Sequence, residues 1–207
     1  MKNHHKMLFI TLLSILNIIY FVGCSCTSCG QQNSEAVEVQ IPDSIFAVGD
    51  KFIIHKTGEE FFNEYIHRDF INSKEHENFY ELFYRFKIVE KEYVDEKIQF
   101  FIDKKGSVLQ DHDVVGIPDC RSDSRNCEFN IDKERALEIA SENKLDEGVR
   151  EWDISFRWSP EHNKYVWHIL TTINEIGSGD FYKANGKEIF IHPYDGSVIQ
   201  IRSWRIN

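Results

Sequence analysis

The sequence has no GxSxG elbow, no HxxxH or HExxH pair and no glycine-rich turn opening a helix. The first absence removes the α/β-hydrolase route to a serine nucleophile. The second removes helical zinc sites built on paired histidines, and the third removes a phosphate cradle. Past residue 23 the histidines are scattered at His55, His67, His76, His112, His162, His168 and His192. No metal and no cofactor is therefore expected. Basic residues are also scarce, 24 Lys and Arg against 34 Asp and Glu, with no basic cluster. A phosphate backbone needs such a cluster, so nucleic acid is excluded as a general partner.

The first 22 residues have a different character. A short basic start, Met1 to Lys6, precedes an apolar stretch from Met7 to Val22 broken only by Thr11, Ser14 and Asn17. This is the pattern of an export signal, and it is shorter than the ~20 residues of a permanent membrane span. The stretch ends in Phe21-Val22-Gly23-Cys24, which resembles the lipobox of bacterial lipoproteins, with Phe21 where that family usually carries Leu. The resemblance implies cleavage after Gly23, diacylglycerol on Cys24, and a lipid anchor in the cell envelope. An ordinary secretory signal with a coincidental Cys is the alternative, and it too exports the chain. Without residues 1–23 the chain has 184 residues and a formal charge of −12.

Beyond Cys24, four cysteines remain. Cys120 and Cys127 bracket a short polar loop, and in an exported chain they are the economical disulfide. Cys26 and Cys29 have CxxC spacing, but no helix accompanies them to lower a thiol pKa and no second ligand pair is near. A local disulfide or free thiols in a tether are both open readings.

Residues 24–44 are rich in Ser, Thr, Gln, Asn and Glu with little periodicity, as expected of a flexible tether. Folded structure is expected from Ile45, in an N-terminal half (45–118) and a C-terminal half (119–207). In the C-terminal half Asp132 is positioned to cap a helix over Lys133–Lys144, whose Ala136, Leu137 and Ala140 recur at helical spacing. Strands are expected at 149–158, 164–173, 187–192 and 197–204, a helix packed on an antiparallel meander. In the N-terminal half a helix is expected over 58–70 and strands at 81–90, 98–103 and from Val108. Residues 97–110 echo residues 187–200, each a strand, a turn containing Gly106 or Gly196, and a second strand. Two related copies or chance similarity both account for this.

Three segments extend the picture: Ile131–Ala140, Tyr165–Ile169 and Ile189–Ile199. They resemble, in turn, the opening helix, central strand and closing hairpin of the PepSY domain, found in propeptides of thermolysin-type proteases and in many exported bacterial proteins. The resemblance spans about residues 131–201, with His192 and Pro193 where the family usually has Val-Asp. It implies an α+β fold and a non-catalytic role, restraining a protease or contacting another envelope protein or peptide. It transfers no catalytic residue.

Trp152, Trp158, Trp167 and Trp204 all fall in the C-terminal strands, with Trp152 and Trp158 an even number apart. Core packing is the ordinary use of such residues. A sheet face left open would instead give a platform for peptide or sugar, so the four form the candidate binding surface. Asp111-His112-Asp113 lacks the further oxygens a calcium site needs. Glu59-Glu60, Glu90 and Glu92 read as solvent-facing charge. The expectation is a lipid-anchored binding or regulatory module; an enzyme of another type and an accessory component of a surface or uptake assembly are the alternatives.

Overall fold

Residues Phe79–Lys87 alternate in character, and a pleated strand turns such alternation into two faces. In the computed structural model, which describes residues 41–207, Tyr80, Leu82, Tyr84 and Phe86 point into the core. We name the elements α1 (Asp43–Thr57), α2 (Glu59–Tyr65), β1 (Ile66–Arg68), β2 (Lys74–Glu75), β3 (Phe79–Lys87) and β4 (Asp95–Asp103). After these come α3 (Lys133–Glu142), β5 (Asp153–Ser159), β6 (Lys164–Ile176), β7 (Lys183–Ile191) and β8 (Val198–Ile206). Strand β3 pairs along its length with antiparallel β4, setting Leu82 against Phe100 and Tyr84 against Ile98. On its other side β1 and β2 lie along successive parts of β3. The free side of β4 is bridged at Gln99 to Val115 and at Ile102 to Val108.

Helix α1 lays Ile45, Phe46, Gly49 and Ile53 onto that apolar row, near-helical spacing that makes one stripe. It approaches closely because Gly49 has no side chain: a Cβ there would stand 2.9 Å from Leu82 Cδ1 and closer still to Tyr84 Oη. Asp50, one residue on, accepts a hydrogen bond from Tyr84 Oη at 2.9 Å and a bidentate pair from Arg68. Helix and sheet are thus pinned by a polar clasp beside an apolar seam.

Several boundaries differ from expectation, and the strand expected from Val108 is not formed: Val108 and Val115 make only isolated bridges to β4. Residues 43 and 44, placed in the tether, already belong to α1, and the helix expected over 58–70 ends at Tyr65. Gly58 sits at φ +90°, a conformation that interrupts a helix and separates α1 from α2. Ile66 then turns its β-branched side chain into the sheet as part of β1.

The C-terminal half is the expected helix and meander. Asp132 caps α3, its side chain accepting from Arg135 N at 2.8 Å, and Ala136, Ile139 and Ala140 face the sheet. Strands β5 to β8 pair antiparallel in chain order. The hairpins of the two halves share a closure: Asp103 N donates to Ser107 O and His192 N to Ser197 O, both at 2.8 Å. Gly106 and Gly196 take φ of +87° and +75° in them.

One core serves both halves. Phe86 of β3 packs on Tyr165 of β6 at 5.4 Å between ring centroids, and Phe129 on Phe156 of β5 at 5.5 Å. Tyr165 Oη, fully buried, donates to Gly116 O at 2.8 Å. Cys120 and Cys127 are joined, with Cα atoms 5.4 Å apart. Among the described residues no helix is long and apolar enough to cross a membrane. The signal over 1–23 and Cys24, Cys26 and Cys29 lie outside them.

Candidate functional site

The four tryptophans do not form one surface. Trp167 is 2 % exposed and Trp158 9 % exposed, and both belong to the core. Trp167 stacks near Tyr93 and donates its Nε1 to Ile131 O at 2.8 Å, while Trp158 meets Tyr165 edge-on. This corrects their assignment to a binding surface: β5 and β6 turn that face toward Phe129, Tyr93 and α3. Trp204 projects from the opposite face of the sheet, since it pairs with Gly186, five residues along β7 from the Ile191 that pairs with Trp167. Its indole lies across Gly186 and donates to Thr171 O at 3.1 Å.

Trp152 is partly buried at the margin of the core. It precedes β5, donates its Nε1 to Asp146 O at 2.8 Å, and forms with Leu137 and Ile154 the floor of a groove of about 400 Å³. Lys133 and Leu137, one turn apart on α3, make one wall, and the start of β5 makes the other. Glu147 and Glu151 stand on the rim. None of the three charged lining residues forms a salt bridge with another described residue. β5 is also the outer strand of its sheet. From Asp153 to Trp158 its backbone makes no hydrogen bond to any described segment except β6. Every second residue therefore presents an unpaired N–H and C=O outward.

A second cluster occupies the outer face, beside Trp204. His168 Nε2 and Glu188 Oε2 are 2.6 Å apart and both residues are buried. Arg202 donates to Glu188 and, through its other arm, to Glu161 at 2.7 Å, and it covers the ring of Phe190. Burial holds the His168 imidazole below its usual pKa despite Glu188, and the Arg157 and Arg202 cations push the same way. For Glu188, burial acts upward, but hydrogen bonds from Arg202 and His168 outweigh it and hold the carboxylate below its usual range. The imidazole is thus neutral near pH 7 and donates to a charged carboxylate. Ser155 is the cross-strand neighbour of His168. No hydrogen bond joins the two, so the pair has no engaged nucleophile.

The most displaced carboxyl is elsewhere. Glu96 shares the inward row of β4 with Ile98 and Phe100, opposite Phe86. Burial, reinforced by the neighbouring Asp95, pushes it up to about 7. Asp111 and His112 pair at 3.0 Å, with the His112 ring packed on Phe79 and Phe101. Among the described residues no three His, Cys, Asp or Glu side chains converge as a metal would require.

The groove, the His168 cluster and Glu96 were not singled out from sequence. Alternation tells which residues share a face: Trp152, Ile154, Phe156 and Trp158 do. It does not tell where the cover stops, and here Phe129 and Tyr93 cover Phe156 while Trp152 is only partly covered. The fold and groove together define a class, an α+β domain with an open edge strand beside a helix. No protein-family model matches the chain, and no curated protein matches it either.

Proposed function

We propose that this protein is a non-catalytic binding module of the bacterial cell envelope, tethered by lipid on Cys24, which contacts or restrains another envelope protein. The observation that carries the reading is the groove of Leu137, Trp152 and Ile154, apolar at its floor, charged at its rim and open beside an unpaired strand edge. Surfaces of this make suit a protein ligand better than a small metabolite, which favours deeper enclosure. The export signal and lipobox in residues 1–24 support the location, and the PepSY resemblance over 131–201 supports a restraining role.

The test is retention. Full chain immobilised from detergent is exposed to envelope extract, and bound proteins are identified by mass spectrometry. A single protein kept by the native chain and lost with Trp152→Ala, at unchanged circular dichroism, is the expected result. Retention of the same proteins by both, or of none by either, would contradict it.

A further inference from the structure

On the outer face of the C-terminal sheet one carboxylate serves two partners. Glu188 divides its oxygens: Oε2 meets His168 Nε2 at 2.6 Å, and Oε1 accepts from Arg202 Nε at 2.5 Å. Through its other arm Arg202 holds Glu161, which lies in the turn between β5 and β6. The next residue of that turn, His162, sets its ring edge-on to Phe190 at 5.3 Å, and its Nε2 is sealed from solvent with no partner among the described residues. Phe190 pairs with His168 and Gln200 on the face turned away from the core, yet it is 1 % exposed. Three side chains close it in: His168 stacked at 4.7 Å, the Arg202 guanidinium over the ring at 5.0 Å, and His162 at its edge. The turn is therefore a strap over Phe190, and the Glu161–Arg202–Glu188 bridge is its clasp.

The charges around the clasp balance only while His168 is neutral. Arg150 and Asp153 pair with each other at 3.3 Å, and Lys164, Arg125 and His192 lie among Asp123 and Asp195. That leaves Arg157 of β5 and Arg202 of β8 against Glu188 of β7 and Glu161 of the turn. A proton on His168 sets three cations against two carboxylates where burial leaves little water to screen them, and a proton on His162 would add to the same side. Protonated His168 is also a complete counter-ion for Glu188 and repels Arg202. Of the two, Arg202 is the one free to leave: its side chain is 41 % exposed and that of His168 only 10 %.

We propose that this cluster is an acid-operated latch: on taking up a proton His168 replaces Arg202 as the counter-ion of Glu188, Arg202 swings into solvent, and the strap of Glu161 and His162 lifts from Phe190. Closure and protonation oppose one another. Under the closed strap burial, joined by Arg157 and Arg202, holds the His168 pKa below its ordinary 6.5 against the pull of Glu188. Opening admits water and removes one cation, so the open form binds the proton more readily. The closed form is thus favoured most above pH 6.5 and is lost as pH falls below that value. The latch lies on the face opposite the Trp152 groove and does not depend on the binding reading.

Nuclear magnetic resonance of the full chain in detergent micelles tests it. Water exchange of the Arg202 Nε–H is measured against free arginine at each pH, with Arg68, bonded to Asp50 through its own Nε, as internal reference. Between about pH 7.5 and about pH 5 the protection of Arg202 is expected to fall by about tenfold, the shift that one pKa unit of linkage gives, while Arg68 keeps its protection. In His168→Gln, which retains a donor for Glu188 but takes up no proton, Arg202 stays protected at both pH values. Arg202→Gln, a change at a partly exposed position, reads the same coupling from the other side: the His168 titration midpoint rises toward that of an exposed imidazole. Equal protection of native Arg202 at both pH values, the same loss in His168→Gln, or a His168 midpoint unmoved by Arg202→Gln would overturn the latch.

Discussion

At the scale of single residues, two positions concentrate the physics. Gly49 is where α1 touches the sheet, and a methyl group there would meet Tyr84 Oη and Leu82 Cδ1 and force these buried side chains out of their packing. Gly49→Ala is expected to lower stability by about 1–3 kcal/mol despite the better helix propensity of alanine, measured as the urea midpoint. Glu96 is the other. Its folded pKa is raised to about 7 from 4.5, so between those values the native state holds the proton more tightly than the unfolded chain. Stability is therefore lost as pH rises from 4.5 through 7, on the order of 1–2 kcal/mol from this group. Glu96→Gln should remove that loss, making the variant the more stable protein at pH 8 and leaving the two equal near pH 4. A native chain whose stability climbs from pH 5 to 8 in step with Glu96→Gln would contradict the assignment. Neither residue was legible in sequence, since nothing in the run Val48-Gly49-Asp50 or Asp95-Glu96-Lys97 distinguishes a contact point or a buried carboxyl from ordinary surface.

At the scale of elements the sequence was informative where local chemistry decides the outcome. Asp132 before Lys133-Glu134-Arg135 is a helix start by hydrogen bonding alone, and the two glycine hairpins are fixed by a φ that other residues avoid. It was misleading where neighbours decide. The Phe61, Phe62, Tyr65 and Ile66 stripe looks like one helix, yet Ile66 is claimed by pairing with Phe86 across the sheet. The 120–127 loop belongs to this scale as well. Arg121 N donates to Lys56 O at 3.0 Å, tying the loop to the end of α1, and the Cys120–Cys127 bond closes it. Loop-closure entropy for a ring of this size stabilises by about 2–2.5 kcal/mol. Reduction in dithiothreitol is expected to lower the urea midpoint accordingly, while leaving the far-ultraviolet spectrum of the native state unchanged.

At the scale of the molecule the halves cannot unfold separately if Phe86, Phe129, Phe156 and Tyr165 form one packed unit. All four tryptophans report on the C-terminal half, whereas circular dichroism reports on both. Phe129→Ala should cost about 3–5 kcal/mol, with both signals shifting together through one transition. Separated transitions would mean two independent domains. The cooperative core also explains how the groove stays in register: α3 and β5 are held by the same buried layer, so their separation is fixed before any ligand arrives. The central claim, that this groove is where a partner docks in the envelope, is tested most directly by a photo-crosslinking amino acid placed at position 137 in the full chain, irradiated in living cells. A single crosslinked protein, absent when the same group is placed at exposed Ile201 on β8, is the predicted result. Crosslinks from position 201 with none from position 137 would contradict it.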